Sequence, residues 1–474
     1  MPVNRAVMTF RRRSSDGAER SGILIRALAA ALMLASLLAL PAHAQLQQEG
    51  TGYTRSPRWS GLLCPDDAVR LALTHSLRLA MAREAALEAA ARTALAASEL
   101  RLKLSANAIA VSQNTPMIYA TQSMPVYYAG LPGRPSIDGN LVAMLPLFTG
   151  GRLDGLLAAA RENEKAALAL TAAELVDVAR NARVAYARAL LARDRMDIAA
   201  WEVAQREEDE RIAERRFKAG AVARNVLYQA RAERAGALQS QNEARAEFAR
   251  EDAALKTVLG IDVASDLQYE DALAAAPAAR DEAMEVRAAL EGRPDLQAAR
   301  HGIAAAAREV RAAHGRYAPQ IYGMAMLDRV YRDPFSSKSM TEGGYSVGAV
   351  LSIPIIDGSA RAAEVKMAQS QQRQRQIVLD ELELEATRQV RDAVTTLDAA
   401  RKNAELASEQ VTLAQENLRV ARLRFEAGRG IHLEELEALR ALVEARYNLT
   451  KARFAANTAR ADLLWATGRQ EEQP

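Results

Sequence analysis

The sequence predicts a mainly α-helical fold with a small β part: long antiparallel coiled-coil hairpins plus four strands, laid out as two copies of one unit. Three observations carry this. The composition is 49% hydrophobic and 26% charged but only 5% aromatic, and alanine supplies much of the apolar share. Such chains read as long helices packed closely side by side, since a globular core needs bulkier side chains to fill its volume. Apolar residues recur in alternating steps of three and four over very long stretches, which is the heptad spacing of coiled coils. Finally, the chain echoes itself. Leu145-Pro146-Leu147-Phe148-Thr149-Gly150 returns as Ile353-Pro354-Ile355-Ile356-Asp357-Gly358, and Arg216-Phe217-Lys218-Ala219-Gly220 returns as Arg424-Phe425-Glu426-Ala427-Gly428. Pro354 and Phe425 each lie 208 residues after their counterparts, Pro146 and Phe217.

Residues 1–44 read as an export signal. Arg5, Arg11, Arg12, Arg13, Arg20 and Arg26 form a basic lead, residues 27–40 form an unbroken apolar run of 14 residues, and Ala42-His43-Ala44 supplies a cleavage site. The run suits a signal and is short for a membrane span, so the mature chain is expected to start at Gln45. Residues 45–65 form an N-terminal extension that holds the one cysteine, Cys64. A single cysteine excludes a disulfide within the chain. Cys64 lies well past the cut and follows Leu63, so it reads as a small buried apolar residue rather than a lipidated one. No later segment resembles a membrane helix, and a mature chain entering a membrane would have to do so with strands. Lys and Arg total 62 against 59 Asp and Glu, a net charge of +3, which gives no sign of nucleic-acid binding.

The repeat units are expected at residues 66–259 and 281–466, joined by a linker at 260–280 and followed by a tail at 467–474. Each unit reads alike. A first helix (66–103; 281–314) leads to two strand-like runs, then a very long helix (151–217; 359–425), a sharp turn, and a return helix (222–258; 433–466). Thr149 and Asp357 stand where N-caps belong. Gly220 and Gly428 suit left-handed helix ends. The seam of the second long helix runs Val390, Ala393, Leu397, Ala400, Ala404, Ala407, Val411, Ala414, Leu418, Ala421, Phe425. The first long helix keeps that register from Ala182 to Val203, and the second return helix from Leu442 to Leu463. At about 1.5 Å per residue, such a helix spans about 100 Å and must project as a rod or stand as a stave in a wall.

Residues 137–147 and 344–353 alternate with period two over about ten residues, the length of tilted strands crossing an outer membrane. Their partners are expected at 105–115 and 317–329, with surface loops at 116–136 and 333–343. A soluble two-hairpin sheet fits the same pattern. In lipid, four strands cannot close a barrel, and open edges there cost several kcal/mol per unpaired backbone group. Two chains would give eight strands and a filled interior, whereas three would give twelve and room for a pore.

These features together resemble the TolC family of outer-membrane efflux and secretion proteins, over nearly the whole mature chain. The matching residues are Arg293-Pro294-Asp295-Leu296, the strand-to-helix joints Pro146, Gly150, Pro354 and Gly358, and the two tip turns, 216–223 and 425–438. The resemblance implies a homotrimer: a 12-stranded barrel in outer-membrane lipid and a helical tunnel through the periplasm. It also implies a periplasmic adaptor (a membrane fusion protein) and an inner-membrane pump docked at the tips. Gly220, Ala221, Val222, Gly428, Arg429 and Gly430 would be the tip contacts. Glu434 and Glu437 match the positions at which several members carry a constricting acidic ring. Acids in a helix's first turn also complement its macrodipole, so both readings stand. The related position in the first tip is Val226, beside Asn225. Within the family, the chain resembles outer-membrane components of type I secretion, of the kind that exports the adenylate cyclase toxin cyclolysin. That implies an ABC transporter as the pump and a large protein as cargo, with small-molecule or metal efflux, or a periplasmic coiled-coil adaptor, as alternatives.

Enzyme readings are weak. Gly344-Tyr345-Ser346-Val347-Gly348 matches G-x-S-x-G but sits inside an alternating run, not at a strand-to-helix elbow. The five histidines form no H-x-x-x-H pair, and no phosphate-binding loop is present, so neither catalysis nor a cofactor or metal is expected. Met117, Met124, Met324, Met326 and Met340 cluster near the strand loops. They read as membrane-facing packing before soft-metal ligands.

Overall fold

The computed structural model describes residues 58–111, 136–270, 281–332, 340–427 and 429–469. The export signal, Gly428, Met117 and Met124, most of the two expected surface loops, the end of the linker and the last residues of the tail lie outside the described residues. Those described form two compact units.

The first unit is built on one antiparallel sheet. Strands β2 (Lys103–Val111), β3 (Ser136–Phe148), β5 (Gln320–Arg332) and β6 (Met340–Ser352) lie in the order β2-β3-β5-β6. Alternation sorts their side chains. The registers bring Leu104, Ala143, Ala325 and Val347 into one cross-strand row and Ala106, Leu141, Leu327 and Tyr345 into the next, which makes one face apolar. The opposite face carries the rows Asn107, Asn140, Asp328, Gly344 and Ser105, Val142, Met326, Ser346. Asn107 Nδ2 donates to Asn140 Oδ1 at 2.9 Å. Ser346 stands mid-strand opposite Met326, far from any nucleophile elbow.

Several boundaries differ from expectation. Residues 340–343, expected in a loop, belong to β6, and β6 ends at Ser352, one residue before the expected limit. β5 runs to Arg332. The two prolines are also unlike. Pro146 lies inside β3 opposite Tyr322, just before a bulge, whereas Pro354 lies beyond the end of β6. β3 has β5 on its second side, while β6 is an edge with no strand among the described residues on its own second side.

The strand-to-helix joints lead into α3 (Arg152–Lys218) and α7 (Ala360–Glu426), each 67 residues long. Both are free of proline, and Gly155 is the one glycine between them. Thr149 Oγ1 accepts from Leu153 N at 3.4 Å, and the Asp357 carboxylate accepts from Ser359 N and Arg361 N, so both side chains cap the first turn, but from two residues before the N-cap positions, which Gly151 and Ser359 occupy because the helices start at Arg152 and Ala360. Gly150 is left-handed (φ 61°), and a Cβ there would collide with Ala318 Cβ and stand 2.7 Å from Gly315 O.

The second unit is helical. α1 (Pro65–His75) and α2 (Leu77–Ser98) replace the single first helix expected, and α5 (Glu282–Gly292) and α6 (Pro294–Gly315) replace its counterpart. The breaks fall at Ser76 and Arg293, both extended. At the second, Pro294 disfavours helical backbone in the residue before it and has no N–H to continue the ladder. Cys64 is the N-cap of α1, its Sγ accepting from Asp67 N at 3.3 Å, a role the sequence did not suggest. α3 returns as α4 (Arg224–Leu259) and α7 as α8 (His432–Ala466). Every seam position named above is buried or half-buried. A feature the sequence reading missed is a two-stranded parallel sheet of β1 (Ser60–Leu63) and β4 (Asp266–Tyr269). Tyr186 pins it to α3: its hydroxyl lies 2.9 Å from both Leu63 O and Glu270 O, and burial pushes that phenol up to about 12.

Arg293 explains its place in the resemblance motif. Its buried guanidinium donates to both carboxylate oxygens of Asp295 (3.1 and 2.7 Å), to Gln389 Oε1 (2.7 Å) and to Ala466 O (3.2 Å), and lies 5.5 Å from the Trp465 ring centre. One side chain thus ties the α5–α6 break to α7 and α8. Burial pushes the Asp295 carboxyl up, but its hydrogen bonds from Arg293 outweigh this and hold it below its usual range. A group lowered in the fold contributes stability above its unfolded value, 3.8, and loses that contribution as pH falls from there through the folded value. Arg293→Lys, which lacks the planar fork, is expected to lower stability by about 2–3 kcal/mol at pH 7. The gap to wild type should narrow at pH 3, read by circular dichroism melts at both values.

Candidate functional site

The candidate site is the pair of tip turns, α3 to α4 and α7 to α8. At the first, Gly220 is left-handed (φ 71°) and Ala221 N donates to Arg216 O at 2.9 Å. This six-to-one bond closes the helix end. At the second, Arg429 N donates to Arg424 O at 2.8 Å, the same closure 208 residues on. A Cβ at Gly430 would meet Arg424 Cβ at 3.2 Å, so the chain leaves that turn in close contact with it. Ala221 and Val222 complete the first turn, and the return helices start without a side-chain cap at Ala223 and Ile431.

The two acids singled out in the sequence behave differently. Glu434 turns back onto its own hairpin, with Oε2 3.3 Å from Arg424 Nη1. Glu437 is exposed and has no ion-pair partner among the described residues. Glu435 pairs with Arg422 at 3.4 Å. In the first tip, Val226 packs with Phe217, Ala213, Leu227 and Ala230, so that turn buries an apolar residue at the position related to the acids.

Behind the turns lies an ionic network that the sequence reading missed. Arg206 has a side chain only 4% exposed and sits 2.6 Å from Glu233, 3.8 Å from Asp209 and 3.9 Å from Glu202. Glu233 also takes Arg440 of α8 at 3.0 Å. Arg422 of α7 donates to Gln205 of α3 at 2.6 Å, and the Arg216 guanidinium stands 4.3 Å over the Phe425 ring. The two hairpins are therefore held together by polar and cation–π contacts around a cleft of about 210 Å³, walled by Ile212, Val222, Val226, Leu433 and Leu436. A sequence signal for these pairs exists. Across an antiparallel hairpin, partners lie at equal distances from the turn: Arg206 is 14 residues before Gly220 and Glu233 is 13 after, and Arg422 and Glu435 flank Gly428 by 6 and 7.

Among the described residues no group of three or more His, Cys, Asp and Glu could hold a metal, and no helix is long and apolar enough to cross a membrane. Met324 and Met326 do not lie in the apolar face expected to pack against lipid: they alternate with it, in the face of Asn107, Asp328 and Ser346, with Met144 opposite Met324.

Tips of this kind on paired long helices, with a four-stranded sheet, define the fold of the outer-membrane channel-tunnels. The solved outer membrane channel CmeC of Campylobacter jejuni superposes with a TM-score of 0.73 over 86% of this chain and 87% of its own, at 19% identity. The model of the outer membrane efflux protein family matches residues 69–261 and 285–469, and the chain belongs to that family, which comprises outer-membrane channels and not enzymes. Among curated relatives, the outer membrane efflux protein BepC of Brucella suis is 27% identical over 55% of this chain and 57% of its own length. Protein CyaE of Bordetella pertussis is 28% identical over 66% and 67%. The alkaline protease secretion protein AprF of Pseudomonas aeruginosa is 26% identical over 61% and 60%. The matches thus span 57–67% of these relatives' lengths.

The buried cation at Arg206 gives a test of the tip. Arg206→Leu removes the buried cation that Glu233, Asp209 and Glu202 share, with Glu233 keeping Arg440, which should cost about 3–5 kcal/mol locally. Limited proteolysis is expected to cut this variant faster than wild type within residues 204–236, and Glu233→Gln should show a smaller increase.

Proposed function

We propose that three copies of this chain form an exit duct in the outer membrane, docked by a periplasmic adaptor and an inner-membrane pump, and that it serves type I secretion of a large protein. The observation that carries the duct is the sheet: one apolar face, one polar face and two bare edges. Such a sheet is stable in lipid only if copies join edge to edge into a closed barrel. Three copies give twelve strands, wide enough for an aqueous pore. The long hairpins, with charged residues off the seam, would continue that pore as a tunnel. The secretion reading draws on the resemblance to cyclolysin-type secretion components and on the similarity to a protein described as serving alkaline protease secretion. An ABC transporter is the pump that reading requires, with a large toxin as cargo. Small-molecule efflux is the second reading, supported by the similarity to a protein described as an efflux protein.

The tip is the proposed gate. Glu437, exposed and without an ion-pair partner among the described residues, would face the pore, while Glu434 reaches it only by leaving Arg424. The cross-hairpin contacts Arg422–Gln205 and Arg440–Glu233 would hold the gate shut, since swinging the second hairpin away breaks both. Glu437→Ala is expected to raise single-channel conductance in planar bilayers and to weaken block by divalent cations more than Glu434→Ala does; equal, unchanged conductance in both would remove the acids from the gate. For the cargo, deletion of the gene should remove one large polypeptide from the culture medium and leave it in the cells. An unchanged medium with altered drug or metal susceptibility would move the assignment to efflux.

A further inference from the structure

We infer that the bare edge of β6 pairs with β2 of a second copy in one defined register, with Ser352 opposite Asn107 and Ile356 opposite Leu104. This rests on the edge-to-edge assembly proposed above and specifies how the copies meet.

The internal duplication supplies the template. β3 maps onto β6 at an offset of 208, and β2 maps onto β5 at 217. Within the chain these offsets hold: the pair Lys103–Met144 of the first hairpin becomes Gln320–Ser352 of the second, as observed. The chain also shows how one unit joins the next, because β3 of the first pairs with β5 of the second. In that junction Met144 faces Met324, Pro146 faces Tyr322 and, after a bulge, Phe148 faces Ile321. The same step taken from the second unit leaves the chain and arrives at the first unit of another copy. Met144–Met324 then becomes Ser352–Asn107, Pro146–Tyr322 becomes Pro354–Ser105, and Phe148–Ile321 becomes Ile356–Leu104.

The two surfaces fit. Ser352 and Asn107 both belong to the polar face, and Leu351 and Ile353 would meet Ala108 and Ala106 on the apolar one. A slip of one residue would turn every side chain to the wrong face, so only slips of two compete. Residues 353–356 lie outside any strand here, although their counterparts 145–148 lie in β3. The missing partner explains that, and it explains why Ile356 is 91% exposed and Leu104 70%. The helices repeat the pattern. At the in-chain junction Gly155 packs on Ala312, and Ala312 and Ala159 are each 3% exposed. Their counterparts by the same offsets, Leu95 and Met367, are 65% and 58% exposed. Large apolar residues stand bare where the next unit would lie and are small and covered where it is present.

The test is cysteine cross-linking in outer membranes, in a Cys64→Ser background. The pair Ser352→Cys with Asn107→Cys is compared with Ser352→Cys with Ser105→Cys and Ser352→Cys with Ile109→Cys, the two slips that keep the faces. Each is treated with copper phenanthroline and, separately, with a short bis-methanethiosulfonate, and single-cysteine variants serve as controls. The three residues lie in one face, so all pairs meet the reagents alike. Covalent dimers and trimers forming at least several-fold faster for 352 with 107 than for either slipped pair support the inference. Faster linking in a slipped pair, or no linking in any pair while native mass spectrometry in detergent finds trimers, overturns it and leaves the assembly standing. Monomers by native mass spectrometry for wild type and all variants would overturn the assembly itself.

Discussion

A four-stranded antiparallel sheet satisfies its inner strands and leaves two rows of backbone N–H and C=O groups open, here along β2 and β6. In water such edges are a hazard of unwanted pairing. In hydrocarbon they are worse, because each unpaired group costs several kcal/mol and nothing in the solvent can take its place. The cost of even a few such groups rivals the whole stability of an ordinary domain. The rest of the chain reads as an answer to that constraint. A duplicated unit presents one edge of each kind, so that copies can close on one another. The joints carry the strands into helices through left-handed glycines. One apolar and one polar face follow from the alternation along each strand.

The helical part solves a different problem. Helices of 67 residues cannot wrap around a core, so their stability must come from contacts spread along their length. Alanine at the seam lets backbones approach closely, but each alanine buries little area, so each layer contributes little. The chain compensates with ion pairs and cation–π contacts between helices, and these are dense at the tips: Arg206 with Glu233, Arg440 with Glu233, Arg422 with Glu435, Arg216 over Phe425. Apart from the buried Arg206, the cations of these pairs are partly exposed, and such pairs are worth little individually. A tip held by several weak contacts around a cleft, instead of by one bulky core, can change arrangement without the long seams coming apart.

How much was legible in the sequence depended on the length scale of the signal. Heptads, the 208-residue echo and the glycine turns repeat over tens of residues, and they placed the long helices, their caps and both tips to within a residue or two. Short features were invisible. The β1–β4 sheet has strands of four residues, too short for alternation to register. The break at Ser76 carries no proline to announce it, unlike the one at Arg293-Pro294. Glu434 and Glu437 stand three residues apart, which places them on one helix face, yet Arg424 draws Glu434 back, a contact set by where the preceding helix ends. Cys64 read as a buried apolar residue because nothing in composition distinguishes a sulfur that packs from one that caps. Arg206 and Glu233 were legible in principle through their near-equal distances from Gly220, but only once the hairpin turn had been fixed.

The unequal fates of the two repeats are the most telling consequence of the duplication. Pro146 sits in a paired strand and Pro354 does not. Gly150 is pressed against Ala318 and Gly315, whereas a Cβ at Gly358 would meet nothing. The local sequences are close enough that intrinsic preference cannot separate them; what differs is the neighbour. In a closed ring of identical steps every unit covers the next, and a chain of two units contains one such covering inside itself and offers the other at its ends. The bare joint at Gly358, the unpaired residues 353–356 and the exposed Leu95 and Met367 are therefore not four irregularities but one absent neighbour seen from four positions. The structure of that neighbour is already in the chain, in the way its first repeat is met by its second.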